Sequence, residues 1–349
     1  MTIKVDRQII GQSTAPFIIA EMSGNHNQSL DRAMAIVDAI ADSGAHALKL
    51  QTYTADTMTI NLSEREFFID DPQNLWAGHS LYHLYQKAYT PWEWHKPLFE
   101  QARKRGLIAF STPFDATAVD FLEKLDVPVY KISSFENIDL PLIRKTASTQ
   151  KPLIISTGMA TLSEIDDAVR TAKHAGCHNI ILLKCTSSYP ADPTTSNLLA
   201  LPPLRQLFGC EVGLSDHTLG IGAAIASIPL GATVIEKHVT LSRAEGGVDA
   251  AFSLEPHELK QLVSETRTAW QALGNAQIEA NEAEKTSLVF RRSLYVCEDL
   301  AAGDVLTDQN LRAIRPGFGL SPKYLNQLLG KKISKSVKKG TPTTWELIG

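Results

Sequence analysis

EVGLSDHTLG, Glu211 to Gly220, begins as an apolar run and ends on Ser215, Asp216, His217 and Thr218, four polar residues where a core calls for none. Twenty-one residues past His217, the run TVIEKHVT ends the same way, on Glu236, Lys237 and His238. Strands buried on both faces read as continuous apolar runs. When all of them point one way, their polar C-terminal ends collect on a single face. Two neighbouring strands that each end on a histidine beside a carboxylate therefore suggest a parallel sheet with a site at its C-terminal edge.

The same pattern recurs toward the N-terminus. FIIAEM (Phe17 to Met22), ALKLQTY (Ala47 to Tyr53), LIAFSTP (Leu107 to Pro113), VYKISS (Val129 to Ser134), PLIIST (Pro152 to Thr157) and IILLKCTS (Ile180 to Ser187) precede EVGLSDH (Glu211 to His217) and VIEKHVT (Val234 to Thr240), making eight strands. Between them lie amphipathic stretches such as LDRAMAIVDAIADSGA, with its stop at Gly44, and TLSEIDDAVRTAKHAG, which opens with a capping-box pattern at Thr161 and Glu164. Eight strands alternating with helices predict a (β/α)8 TIM barrel. The rival, a doubly wound sheet, normally opens with a G-x-G-x-x-G turn after an early strand, and the chain has none.

One interval departs from the rhythm. Thirty-seven residues, Thr54 to Thr90, separate the second strand from a helix starting near Pro91, and they carry Phe67, Phe68, Trp76, Tyr82, Tyr85 and Tyr89. A connection that long predicts a lid, and so many aromatics argue against disorder. Residues 1–274 are expected to form the barrel, 275–287 a polar linker, and 288–349 a small separate domain. In that domain RRSLYVCEDLAAGDVLT reads as a strand pair around Ala302 to Asp304, LSPKYLNQLLG as a short helix, and SKSVKKGTPTTWEL as further short strands.

Composition is that of an ordinary globular protein, 44% hydrophobic and 21% charged, which excludes disorder and collagen-like structure. The net charge of -4 argues against nucleic acid as a partner; the six lysines between Lys323 and Lys339 read as a solvated face. Cys177, Cys185, Cys210 and Cys297 form no C-x-x-C pair, so reduced thiols are expected. No apolar run resembles a signal peptide, and the uncharged stretch from Leu219 to Ile235 falls short of a membrane span. The expectation is a cytoplasmic protein with no membrane partner.

The strand ends supply Lys49, Lys131 and Lys184 among many hydroxyls. That is poor packing chemistry but suits a dianionic phosphate, which takes point charges and hydrogen-bond donors. His217 and His238, closing adjacent strands, either hold a divalent transition ion with positions left for substrate oxygen or form a hydrogen-bonded pair.

In order, AEMSGNHN, KLQTYT, STPFD, YKISS, STGMA, KCTSSYP, GLSDHT and EKHVT resemble the sialic acid synthase family, which condenses phosphoenolpyruvate with an N-acetylated amino sugar to give a nine-carbon 2-keto acid. The resemblance covers nearly the whole chain, including a C-terminal part similar to the antifreeze-like (SAF) domain, with RPG at Arg315 to Gly317. It implies phosphoenolpyruvate on Lys49, Thr112, Lys131, Ser134, Ser156, Ser187 and Ser215, although some relatives carry Asn at the position of Ser187. It also implies a divalent metal, expected to be manganese, on His217 and His238. Glu21, Glu136 and Glu236 are then candidates for stabilising a cationic intermediate or orienting water, with no ranking among them. The sugar falls to Gln51, Tyr189, Asp249 and Arg315. The alternatives at two of these are a loop-packing Tyr189 and a surface Arg315; in the family an arginine here enters a neighbouring subunit's site, which implies a domain-swapped homodimer. AEMSGNHN with Met22 and Ser23, the aromatic LW-G-SLYHLY segment and TPWEWH (Thr90 to His95) resemble the branch of the family that takes 2,4-diacetamido-2,4,6-trideoxy-L-altrose.

Overall fold

The computed structural model describes residues 2–349. Two compact units divide the chain, the first running to Gly274 and the second from Asn275 to Gly349. Among the described residues no helix is long and apolar enough to cross a membrane.

The first unit is a closed, all-parallel eight-stranded barrel. Its strands are β1 (Phe17–Glu21), β2 (Ala47–Thr52), β3 (Ile108–Pro113), β4 (Tyr130–Ile132), β5 (Leu153–Ser156), β6 (Ile180–Cys185), β7 (Glu211–Ser215) and β8 (Val234–His238). Each pairs with the next, and β8 returns to β1 in the register Val234–Phe17 through His238–Glu21. All eight are the expected strands, seven of them one or two residues shorter at the C-terminal end. The intervening helices follow their local signals. Leu30–Ser43 is capped by the Ser29 side chain and stopped by Gly44 at φ 82°, a conformation glycine adopts without strain. Leu162–His174 begins with the expected capping box of Thr161 and Glu164.

Gly213 in β7 is required by close approach. A Cβ there would stand 2.2 Å from Val234 O and 2.8 Å from Leu183 Cδ2, so β7 and β8 meet only because position 213 has no side chain. The sequence reading missed an N-terminal hairpin, Ile3–Val5 against Gln8–Ile10, whose Ile3, Val5 and Ile10 join the barrel's core. Three-residue strands are too short to show a period.

Residues 54–90 carry structure of their own: a helical turn at Ala55–Met58, a 3-10 turn at Arg65–Phe67 and a helix at Leu81–Ala88 capped by Ser80. Tyr85 packs edge-on to Tyr53 at 5.8 Å.

The second unit has its own core, built on Leu294, Val296, Leu306, Leu311, Leu328 and Ile333. The expected hairpin around Ala302 to Asp304 is corrected. Ser293–Val296 pairs with Leu311–Ile314, while the turn at Gly303 leads away from Leu300, which bridges to Val337. Trp345–Leu347 is a 3-10 turn where a strand was expected. Residues 275–287 fall within this unit and include a helical turn at Glu282–Lys285.

Candidate active site

Strand register builds the site. His238 pairs with Glu21, and Glu21 pairs with Lys49, so an imidazole, a carboxylate and an ammonium stand side by side on β8, β1 and β2. Alternation then sorts inside from outside. Lys49 and Gln51 point into the barrel, while Thr52 and, on β3, Ser111 hydrogen-bond to each other at 2.6 Å and through Thr52 to His95 Nε2 at 2.8 Å on the flanking helix Trp92–Lys104.

The centre is a buried four-charge cluster. Lys49 Nζ lies 2.9 Å from Glu21 Oε2 and 3.1 Å from Glu236 Oε1, and it donates to Thr112 Oγ1 at 3.4 Å. Lys131 Nζ donates to the same Glu236 oxygen at 2.9 Å, and Ser215 Oγ donates to it at 3.1 Å. Gln51 Nε2 donates to Glu21 Oε1 at 2.8 Å. All four charged residues are at most 3% exposed. Burial by itself raises both carboxyls, but the charges of His238, Lys49 and Lys131 hold Glu21 well below the carboxylate range, and Lys131 and Lys49 hold Glu236 down. The two lysines differ. Burial lowers Lys131, whereas for Lys49 the charges of Glu21 and Glu236 outweigh burial and the net movement is upward.

Beside the cluster is a cradle of hydroxyls. Gly158 N–H donates to Ser134 Oγ at 3.2 Å, and a Cβ on Gly158 would come within 2.6 Å of Ser134 Oγ and 2.2 Å of Ser187 Oγ. Ser156 Oγ, in the strand leading to that glycine, is buried without a hydrogen-bond partner. Asn137, which sequence reasoning passed over, ties this turn down through its Nδ2, donating to Ser156 O at 3.4 Å and Gly158 O at 3.3 Å. Buried donors and acceptors are nearly always satisfied, so a bare hydroxyl on the strand beside the one that carries Lys131 marks a place for an anion's oxygen.

The imidazoles of His217 and His238 lie 5.3 Å apart. His217 Nδ1 faces Thr186 O at 3.0 Å, an arrangement that puts the proton on Nδ1 and leaves Nε2 a free lone pair. His238 Nε2 is 3.2 Å from Glu21 Oε2, and its buried Nδ1 lacks a hydrogen-bond partner, standing 3.6 Å from Asp249 Oδ2. The donors fit a divalent ion held by two imidazoles; no group of three or more His, Cys, Asp or Glu suited to a metal occurs among the described residues. Cys185 Sγ lies 3.8 Å from His217 Nδ1 and 3.7 Å from Ser187 Oγ. Its pairing across β6 and β7 with Ser215 brings it there; the sequence reading took it only as a reduced thiol, although it lies within KCTSSYP.

Tyr189 packs against His217 at 4.6 Å and Phe252 at 5.3 Å. Asp249, buried, accepts from Ser23 Oγ. Glu136 accepts from Ser133 in its own loop, and burial raises its carboxyl. Lys184 donates to Cys185 O, away from the other lysines' carboxylate partners. Arg315 is exposed in the second unit. Asp216 and Lys237, which the sequence offers as strand-end polar groups, face outward as a buried pair at 3.0 Å; Lys237 Nζ also donates to Thr218 O at 2.6 Å and so pins the loop that carries His217.

A parallel barrel with paired buried lysines, a hydroxyl cradle and two metal-competent imidazoles on its C-terminal rim defines an enzyme acting on a small phosphorylated substrate. The chain belongs to the NeuB family, whose model matches residues 36–278, and a SAF domain matches residues 291–348. It is 45% identical to the pseudaminic acid synthase of Helicobacter pylori over 94% of this chain and 96% of that protein. It is 42% identical to that of Campylobacter jejuni serotype O:2, over 93% and 94%. A crystal structure of N-acetylneuraminic acid synthetase from Leptospira borgpetersenii superposes with TM-score 0.74 at 31% identity, over 82% of this chain and 95% of that one. Barrel, SAF domain and family all stand as the sequence led us to expect.

Proposed function

We propose that this protein is a pseudaminic acid synthase, condensing phosphoenolpyruvate with 2,4-diacetamido-2,4,6-trideoxy-L-altrose and releasing phosphate by C–O cleavage. The likeness to two pseudaminic acid synthases over almost the whole chain supports the choice of sugar. The observation that carries the chemistry is the cluster of Lys49, Lys131, Glu21 and Glu236 beside the Ser134–Gly158–Ser187 cradle.

Lys49, Thr112, Lys131, Ser134, Ser156, Ser187 and Ser215 hold the carboxylate and phosphate of phosphoenolpyruvate with its C3 toward the imidazole pair. Gln51, Tyr189 and Asp249 position the open-chain sugar, with Arg315 contributed by a second copy across a domain-swapped homodimer. His217 and His238 would hold a divalent ion, manganese in this reading, which would supply Lewis-acid polarisation of the sugar aldehyde. The C3–C1 bond forms with the enol electron pair, and the aldehyde oxygen gains a proton. Positive charge then develops at C2 of the former phosphoenolpyruvate. Glu21 and Glu236, held ionised by the lysines, lie where a fixed negative charge favours that cation. Water adds at C2 and gives up a proton, and the tetrahedral centre collapses to the ketone as the C2–O bond to phosphate breaks. Glu136, half-buried and within the influence of the Lys131 charge, is the third candidate for stabilising that cation or orienting the water, with no ranking among the three. The reaction is placed in the cytoplasm.

The test is phosphate release from phosphoenolpyruvate with manganese, comparing the diacetamido-trideoxy sugar with N-acetylmannosamine, each with and without a chelator. Chelator-sensitive release with the first sugar alone is expected. Release with N-acetylmannosamine, or only with the sugar precursor of legionaminic acid, would keep the chemistry and reassign the substrate. Full activity in a stable monomer on dilution would overturn the shared-site dimer.

A further inference from the structure

Under the 54–90 segment lies a cavity of about 420 Å³. Trp76, Leu84 and Val248 give it apolar walls, while Lys87 and His79 bring donors, and no Asp or Glu is among its lining residues. Trp76 belongs to two places. It walls this cavity, and its ring lies 5.6 Å from Tyr189, which in turn packs on His217. Its indole N–H donates to Val248 O at 2.9 Å, one residue before the Asp249 that faces His238. One aromatic partition therefore joins the cavity to the imidazole pair. Tyr82, from the same segment, is engaged elsewhere, donating to Asp56 Oδ1 at 3.0 Å.

Such walls select for chemistry. With donors, the amides of Asn27 and Gln28, apolar surface and no carboxylate, the cavity suits a neutral group that accepts hydrogen bonds and carries methyls. We infer that it is the subsite for the far end of the sugar, taking the C4 acetamido group and the C6 methyl, with Trp76 as the specificity-determining wall. This rests on the pseudaminate reading, in which the aldehyde sits at the imidazoles and the carbon chain runs past Tyr189 to Trp76. Lys87 supplies the acetamido carbonyl with a donor. Gln28 holds that lysine's segment in place, its Nε2 donating to Lys87 O at 3.0 Å and Tyr89 O at 2.8 Å.

The experiment compares Trp76→Ala and Lys87→Ala with wild type, using the 6-deoxy diacetamido sugar and its analogue bearing a hydroxyl at C6. In Trp76→Ala two methyls lose their cover, so KM for the 6-deoxy sugar should rise about tenfold. KM for phosphoenolpyruvate should stay within about twofold, and the preference for methyl over hydroxymethyl should fall toward unity. Lys87 is exposed, so its removal does not threaten folding, and KM for the sugar should rise about threefold or more. Unchanged sugar KM in both variants, with wild type turning the sugar over, overturns the subsite. So does a Trp76→Ala enzyme that loses kcat and both KM values together while Lys87→Ala stays at wild type, since that marks a structural role. Failure of wild type to use the sugar overturns the functional reading instead.

Discussion

Gly158→Ala tests the anion cradle with a single methyl. The glycine's backbone is one that alanine adopts, so space alone resists the change. The new Cβ would lie 2.2 Å from Ser187 Oγ, 2.6 Å from Ser134 Oγ and 2.9 Å from Ser134 Cβ, where ordinary contact begins at 3.4 Å. Rotating the serine side chains moves their hydroxyls but not Ser134 Cβ, so part of the strain passes into the backbone of that turn. Both hydroxyls must retreat by about an ångström, enough to misalign a hydrogen bond. A hydrogen bond to a charged group contributes about 1.5–3 kcal/mol. Losing half of what two such bonds provide raises KM for phosphoenolpyruvate by about 10- to 150-fold. Overpacking costs about 1–3 kcal/mol of stability, which a folded domain tolerates. The assay is steady-state phosphate release with the sugar saturating, alongside urea unfolding of the same preparation. KM for the sugar should stay within about twofold. A folded variant whose KM for phosphoenolpyruvate also stays within about twofold of wild type would refute the cradle as the phosphate's seat.

Glu236→Gln removes the carboxylate shared by Lys49 and Lys131 and leaves two buried ammoniums to one remaining acid; the urea midpoint should fall by the equivalent of about 3–5 kcal/mol, and an unchanged midpoint would contradict the cluster's role in the fold. His238→Ala should abolish chelator-sensitive phosphate release and cut the manganese retained after desalting; retention equal to wild type would remove His238 from the metal site. Burial depresses the imidazoles of His26 and His95 to about 4. The unfolded chain then binds more protons between pH 6.5 and 4, so their contribution is complete above pH 6.5 and falls with acidification, by about 2 kcal/mol each at pH 5. His95→Gln should lose less stability than wild type on going from pH 7.5 to 5, and equal losses would sink this account.

Most of the barrel could be read from the chain because its strands are short, mostly apolar runs that give way to polar residues at their C-terminal ends. Less could be read where the signal is parity or pairing. Glu236 and Lys237 are adjacent in sequence, yet alternation sends one to the centre of the site and the other into a structural pair with Asp216 behind the sheet. Counting in twos from the buried Val234 would have separated them. Cys185 and Asn137 reach the site through strand register and a side-chain tie to a distant turn, neither of which leaves a local pattern. In the second unit, Ser293–Val296 passes over the nearest turn to pair with Leu311–Ile314 because Leu300 and Val305 are taken by Val337 and Lys332. Short strands held by such bridges carry no period.

Gly213 lies strand-deep, below either histidine, yet it governs how close they stand. His217 follows β7 and His238 ends β8, and the two strands approach only because a Cβ at 213 would collide with Val234 O. Even a methyl there wedges the strands apart, and the imidazoles ride on them. Evolution, or a designer, can therefore retune the spacing of the two imidazoles by altering a buried position that neither of them touches.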